Sequence, residues 1–202
     1  PMQRAPIKRG LLALKEKHGP RLRIRVSLDH FTPELHEAER GPKTWARAIA
    51  GLDWLNANGF EIAIAGRTCW NEPEREERNG YAALVASRGW RIDPANPKQL
   101  MLLPEMDGSR DVPEITTSCW SILDKRPQDL MCARSRMVVK RKGASGPAVL
   151  PCTLLPYEPA FEMGPTFAEA AAADTGMFSR GAVKLCHPHC SKFCVLGGGS
   201  CS

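Results

Sequence analysis

The sequence has no long apolar run and no secretory signal at its amino terminus. A helix needs about 20 mostly apolar residues to cross a bilayer, so we expect no membrane span and no membrane partner. Eight cysteines without a secretory signal argue against a disulfide framework, because thiols stay reduced in the cytoplasm. Such cysteine usage more often means metal binding or catalysis. The sequence therefore predicts a cytoplasmic protein with metal-binding or reactive thiols.

Basic residues outnumber acidic ones by 28 to 22, which gives a net charge of +6. These charges are spread over most segments and are typical of a solvated basic surface, although they would also attract anionic ligands. No basic motif interleaved with aromatic residues is present, so nucleic acid is not expected as a partner. The hypothesis that the protein binds phosphorylated small molecules is supported by the positive net charge alone.

Predicted strands and helices alternate in the first half of the chain. Apolar residues at every second position predict a strand over residues 22–28, and helical spacing predicts a helix that begins with Thr44 as its N-cap and ends before Gly59. Asn71 and Glu74 form a capping-box pattern for a helix that Gly89 closes. Further elements are a helix over 6–18, a long loop over 29–42, and strands over 60–65 and 99–103. This alternation predicts parallel βα units.

Candidate binding residues follow these predicted strands. In barrels of βα units, the chemistry lies at the carboxyl ends of the strands, which here carry Ser27, Asp29, Gly66 and Arg67. The carboxylate of Asp29 can accept both hydroxyls of a ribose through strong charge-assisted bonds. It can equally cap the turn that follows the strand. The spacing of the residues leaves both interpretations open.

The pattern changes near residue 107, and we predict two domains over 1–107 and 108–202. The second domain is expected to be a small α+β extension rich in cysteine. Its predicted elements are a short helix over 112–123, a β-hairpin over 137–150 with its turn at 142–146, and an Ala-rich helix over 166–173.

Cysteines concentrate at the carboxyl terminus, where Gly197, Gly198 and Gly199 would let the backbone wrap closely around a small group. Iron–sulfur clusters commonly take four thiolates, and zinc takes the same ligands or histidine, so composition does not separate the two. His187 and His189 are ligands or polar loop residues. Buried reduced thiols are the alternative, and Cys69 and Cys119 are expected to be core residues. The candidate ligands are Cys132 and Cys152 from the hairpin region, and Cys186, Cys190, Cys194 and Cys201 from the terminus.

Both halves resemble radical S-adenosylmethionine enzymes. The first half is similar to the fourth strand and following helix of the family's partial (β/α)6 TIM-like barrel. The second half is similar to the SPASM/twitch extension, which carries an auxiliary [4Fe–4S] cluster. The segments that carry the resemblance are residues 23–29, 32–34, 48–55 and 58–60 in the first half, and 132, 149–152 and 161–167 in the second.

The resemblance implies roles for individual residues. Ser27 and Asp29 would face the ribose of S-adenosylmethionine, and Gly66 and Arg67 would border its adenine or methionine part. The auxiliary [4Fe–4S] cluster would be held by Cys132 and Cys152 with two of three terminal cysteines, namely Cys190, Cys194 and Cys201.

The resemblance also implies an activity for the intact protein. A second [4Fe–4S] cluster would reduce S-adenosylmethionine, and the resulting 5′-deoxyadenosyl radical would abstract hydrogen from a substrate that the sequence does not identify. A flavodoxin or ferredoxin would supply the electron.

The sequence departs from the family in two ways. The CxxxCxxC loop of the radical-generating cluster is missing, and the terminus lacks the CxxC spacing of full SPASM domains. We therefore expect a fragment that begins inside a larger fold and is inactive alone. The alternative from another class is a zinc-stabilised basic binding module without catalysis.

Overall fold

The computed structural model describes residues 3–104, 117–124, 126, 130–151, 157, 159–172 and 194. Contacts divide the chain into two units, Pro1–Glu105 and Met106–Ser202. Within the described ranges, no helix combines the length and the apolar character that a membrane crossing requires.

The first unit contains a parallel sheet of three strands, β1 (Arg23–Ser27), β2 (Glu61–Thr68) and β3 (Leu100–Pro104). The strands lie side by side in their sequence order. The register places Val26 opposite Ile64 and Ile64 opposite Leu100, so the alternating apolar residues share one face. The predicted α/β class with parallel strands is confirmed.

Four helices accompany this sheet. Gly59 (φ +68°) follows the C-cap of the third helix, and Gly89 (φ +61°) caps the fourth. Both adopt the left-handed conformation that glycine reaches at little cost, so the two predicted helix ends are confirmed. The helices are α1 (Ala5–His18), α2 (Pro33–Arg40), α3 (Thr44–Ala57) and α4 (Glu74–Arg88).

One hydrophobic core joins α3 and α4 to the sheet. Fully burying a side chain such as that of Leu52 contributes about 1.5–3 kcal/mol, so this core is the main source of stability in the unit. Its buried members are Val26, Leu28, Ile49, Leu52, Leu55, Phe60, Ile62, Ile64, Tyr81, Val85, Trp90, Ile92, Leu100 and Leu102.

Helix α1 attaches to this unit largely through lysines and has no buried residue. Lys8 lies over the ring of Trp54 at 5.1 Å, and Lys15 lies over Phe60 at 5.4 Å. Lys15 also donates from Nζ to the carbonyl of Asn58 at 2.5 Å. Leu11 is the helix residue that packs against the core. Attachment therefore combines cation–π contacts with one apolar side chain.

The predicted long loop over 29–42 is wrong, because residues Pro33–Arg40 form α2. Thr32 occupies the N-cap position in an extended conformation and Pro33 follows at the first helical position, where a missing N–H costs nothing. The helix carries little apolar periodicity, and its buried residue is His36. A search for apolar periodicity therefore misses it.

Two predicted N-caps are also wrong. Thr44 lies inside α3 and donates its hydroxyl to the carbonyl of Gly41 at 2.6 Å, and the N-cap is Lys43 at φ +63°. Helix α4 begins after Pro73 with no side-chain cap bond, and Asn71 instead adopts φ +58° in the preceding turn.

The described part of the second unit contains a confirmed β-hairpin. Strands β4 (Met137–Val139) and β5 (Ala148–Leu150) pair antiparallel. On the other side of β5, Val149 exchanges backbone hydrogen bonds with Met163 and Gly164 at 2.9 Å each. Short helices α5 (Met131–Arg134) and α6 (Phe167–Ala172) complete these ranges. Of the predicted helix over 112–123, residues 112–116 lie outside these ranges; in the described part, 117–123, Thr117–Cys119 form one 3₁₀ turn followed by turns, so a helix is not found there.

Candidate functional site

The parallel sheet brings the four predicted binding residues of the first unit to one edge. Ser27 lies opposite Ala65 in the register, and the carbonyl of Asp29 accepts the backbone N–H of Arg67 at 2.9 Å. Gly66 lies between these two contacts on β2. The backbone therefore places Ser27, Asp29, Gly66 and Arg67 near one another, while their role in binding a ligand remains a prediction.

Arg40 on α2 binds the carboxylate of Asp29 in a bidentate ion pair. Its Nε donates to Oδ2 at 2.5 Å and its Nη2 to Oδ1 at 3.0 Å. Asp29 is 3% exposed, and the Arg40 side chain is 44% exposed. Each carboxylate oxygen keeps further lone pairs, but a ribose would have to share or displace the guanidinium. The sequence did not indicate this partner because α2 was not predicted.

His36, one turn before Arg40, holds the backbone of the same aspartate. The N–H of Asp29 donates to His36 Nδ1 at 3.0 Å. The ring is 1% exposed, and its Nε2 has no hydrogen-bond partner among the described residues. Burial lowers the pKa of His36, because an imidazolium loses its hydration there. Helix α2 thus fixes Asp29 through both its side chain and its main chain.

His30 links the turn after β1 to the turn after β2. Its Nδ1 lies 3.0 Å from the backbone nitrogen of Thr32 and 2.9 Å from that residue's hydroxyl, and its Nε2 lies 3.2 Å from Oε2 of Glu72. The imidazole also packs on Phe31 at 4.1 Å and meets the edge of Trp70 at 4.8 Å. Both ring nitrogens are engaged, so His30 orders the turns and leaves no ring nitrogen for a metal.

Tyr81 on α4 explains the glycine at position 66. The Tyr81 hydroxyl donates to the carbonyl of Leu28 at 2.7 Å. A Cβ on Gly66 would lie 2.4 Å from that hydroxyl and 2.9 Å from Leu102. Burial raises the pKa of Tyr81, which keeps the phenol protonated as a donor. Packing therefore requires glycine here whether or not a ligand approaches.

Glu77, also on α4, is a buried carboxyl group that the sequence did not single out. Its side chain is fully buried, and neither oxygen has a hydrogen-bond partner within the described part of the chain. Burial, followed by the carboxylates of Glu72 and Glu74, raises the pKa of Glu77 to about 7. Arg78 opposes that shift. The group is therefore poised to change its charge near neutral pH.

Arg67 is paired rather than free at this edge. Its Nη1 donates to Oε2 of Glu39 at 2.5 Å, and both side chains are about one third exposed. Ser27 is exposed. A ligand at this edge would therefore meet the Ser27 hydroxyl without first breaking an ion pair there.

In the second unit, two predicted cluster ligands pack against one residue. Cys132 and Cys194 both contact the buried side chain of Leu130, as do Cys119 and Trp120. The four described cysteines form no disulfide. No three His, Cys, Asp or Glu side chains in the described ranges are close enough together to hold one metal ion. The predicted ligands Cys152, Cys190 and Cys201, with Cys186, His187 and His189, lie outside the described residues.

Comparison of the chain with protein families, with characterised proteins and with solved structures finds no match.

Proposed function

We propose that this chain is part of a radical S-adenosylmethionine enzyme with an auxiliary iron–sulfur cluster in its second unit. The observation that carries the proposal is the packing of Cys132 and Cys194 against the same Leu130. These cysteines are far apart in the sequence, so only tertiary folding can bring them to one residue. A cluster held by thiolates requires such convergence.

The donor chemistry at Leu130 fits an iron–sulfur cluster or zinc. Cys132 and Cys194 would supply two thiolates, and the predicted remaining ligands are Cys152 with Cys190 or Cys201. Cys119 also packs against Leu130, but the three described thiols are not close enough together to hold one metal ion. The apolar contact with Leu130 would shield the sulfurs from water, which tunes the potential of a bound cluster.

The first unit supports the same proposal through its strand order. Three parallel strands in sequence order, with connecting helices, are what consecutive units of a β/α barrel would present. At the carboxyl edge, Ser27 is exposed and the buried Asp29 carboxylate is bound by the partly exposed side chain of Arg40. We propose that this edge binds the ribose of S-adenosylmethionine, with Arg40 sharing or releasing Asp29.

Bound S-adenosylmethionine and a reduced cluster supply one-electron hydrogen-abstraction chemistry, which belongs to the cofactors. The residues of this chain would bind and orient the nucleoside and hold the auxiliary cluster. A reductase such as a flavodoxin or ferredoxin would be the electron-donating partner.

Anaerobic reconstitution with iron and sulfide tests the cluster. We expect iron and sulfide to bind with a broad visible absorption, and we expect Cys132→Ser and Cys194→Ser to lose most of it. Cys69→Ser, in the first unit, is the matched control and should keep the full amount. Stoichiometric zinc without colour would contradict the cluster and support a zinc-stabilised binding module, whose thiolates would be structural.

Binding of S-adenosylmethionine tests the sheet edge separately. Asp29→Ala in the cluster-loaded protein should weaken binding by roughly 1.5–3 kcal/mol, the scale of a hydrogen bond to a charged group. Glu76→Ala, an exposed change on α4, should leave binding unaltered. Asp29→Asn, which keeps a side-chain oxygen for Arg40, separates ligand binding from folding. Unchanged affinity in both Asp29 variants would remove this residue from the site.

A further inference from the structure

Two buried histidines bind backbone N–H groups in the turn after β1. His36 Nδ1 receives the N–H of Asp29 at 3.0 Å, and His30 Nδ1 receives the N–H of Thr32 at 3.0 Å. A ring nitrogen that accepts a hydrogen bond carries no proton. Both rings are therefore neutral in this arrangement, with the proton on Nε2. For His30, this tautomer also allows Nε2–H to donate to Glu72.

The two histidines differ in the groups that surround their ring nitrogens. At His30, the Thr32 hydroxyl oxygen, which can accept a hydrogen bond, also lies 2.9 Å from Nδ1, and Oε2 of Glu72 lies 3.2 Å from Nε2. At His36, the hydrogen bond that the described residues make to Nδ1 comes from an N–H donor, the backbone amide of Asp29. Protonation of His36 at Nδ1 would bring its new N–H against the backbone N–H of Asp29, so two buried donors would face each other without an acceptor between them.

We propose that His36 is a proton-sensitive latch, which in its neutral form holds the turn after β1 against α2 and in its protonated form releases it. The latch requires neither a bound ligand nor a cluster, because its hydrogen bond joins two residues of the first unit.

Groups on both packed segments face the latch. Burial is the largest effect and lowers the pKa of His36, Arg40 and His30 act in the same direction, and Asp29 and Glu37 oppose them. Because the folded-state pKa is below the ordinary value of 6.5, the latch contributes its full stability above pH 6.5 and loses it as the pH falls through the lowered value. Acid therefore opens the turn.

Release of the latch would also affect the carboxylate of Asp29. His36 and Arg40 lie one helical turn apart on α2 and hold the main chain and the side chain of the same aspartate. When one attachment opens, α2 is held at Asp29 by the exposed guanidinium alone. The latch thus couples the proton concentration to access at the carboxyl edge of the sheet.

Long-range ¹H–¹⁵N correlation spectra of the histidine rings in the full chain test the assignment directly. At neutral pH we expect His30 and His36 each to show one bare Nδ1 and one protonated Nε2. Assignment uses His30→Asn, His36→Asn and His18→Asn variants. A protonated Nδ1 on His36 at neutral pH would overturn the proposal.

Amide hydrogen exchange at Asp29 tests the latch. In the native chain, protection of this amide should fall as His36 titrates, whereas His36→Asn, which offers a non-titrating oxygen near the position of Nδ1, should hold its protection over the same range. His36→Phe, of similar size but without an acceptor, should exchange at least about tenfold faster at neutral pH. His18→Asn is the control and should match the native chain. Protection that is independent of pH in the native chain, or equal in the Asn and Phe variants, would contradict the proposal.

Discussion

The two units of the chain place different side chains at the centres of their described cores. In the first unit, leucines, isoleucines and aromatic rings from the sheet, α3 and α4 form one continuous cluster. In the described part of the second unit, Leu130 packs against three cysteines and two large apolar side chains, namely Cys119, Cys132, Cys194, Trp120 and Leu123, and a separate group contains Val149, Met163 and Ala170. The first unit has a core that apolar burial alone can stabilise. The second places three thiols among the apolar side chains that pack on Leu130.

This difference separates two sources of stability. The stability that comes from buried apolar side chains does not depend on metal or on redox state. Thiolates that hold a metal, in contrast, stop stabilising the fold when the metal leaves. The units should therefore respond to different perturbations, and each of the following experiments acts on one unit while using the other as its reference.

Removal of iron from the reconstituted protein should have the largest effect. Because ligand binding and folding are coupled in small metal domains, we expect a chelator to abolish hydrogen-exchange protection around Leu130 and the hairpin. Protection of β1, β2 and β3 should not change. Equal loss in both units, or none in either, would remove the proposed distinction.

A cavity in the first core should have the next largest effect. Leu52→Ala removes a fully buried side chain and should lower the free energy of unfolding of the first unit by about 2–5 kcal/mol. Urea denaturation followed by hydrogen exchange measures this change in each unit. The exposed substitution Leu12→Ala on α1 is the control, and an equal loss there would contradict the assignment of the core.

The buried carboxyl of Glu77 gives a smaller effect that depends on pH. The folded-state pKa of about 7 exceeds the ordinary 4.5, so stability is fully present below pH 4.5 and is lost as the pH rises through about 7. Glu77→Met should therefore raise the free energy of unfolding by about 1–3 kcal/mol at pH 8 and by less at pH 5. Glu76→Met, at an exposed position, should show no such dependence. A gain that does not vary with pH would mean that ionisation at position 77 is not the cause.

The lysine contacts of α1 should have the smallest effect. Lys8→Ala removes the cation from the face of Trp54 and should destabilise the helix attachment by about 0.5–1 kcal/mol. Amide exchange in α1 measures it, and Lys17→Ala, an exposed neighbour, is the control. A larger effect at Lys17 would show that general charge, and not the ring contact, attaches the helix.

Local sequence signals were sufficient for most of the first unit. Alternating apolar residues predicted β1, and glycines predicted the ends of α3 and α4, because these features depend on burial and backbone conformation within a few residues. Helix α2 was missed because its buried residue is a histidine whose position is set by a contact with the N–H of Asp29. The pattern Thr32–Pro33, an N-cap residue followed by proline at the first helical position, is the sequence signal that indicates the start of α2.

The candidate site was only partly accessible from the sequence. The position of Asp29 after a strand indicated a polar residue at the sheet edge, but its partner Arg40 belongs to the helix that was missed. Glu77 lies on the buried face of α4 with Tyr81 and Val85, where helical periodicity predicts an apolar residue. Its burial depends on contacts with other elements, which the local sequence does not reveal. In the second unit, the family resemblance groups Cys132 and Cys152 with two of Cys190, Cys194 and Cys201, and the contact that Cys132 and Cys194 share with Leu130 depends on packing between distant segments.

Gly80 on α4 and Phe31 in the turn after β1 limit the size of each other's side chains. A Cβ at this position would lie 2.4 Å from ring atoms of Phe31, so the aromatic ring rests directly on the helix backbone. Glycine within a helix destabilises it by about 1 kcal/mol relative to alanine. At position 80, glycine is nevertheless needed because a larger residue would clash with the Phe31 ring. In any descendant of this sequence, a larger residue at position 80 should therefore be accompanied by a smaller one at position 31.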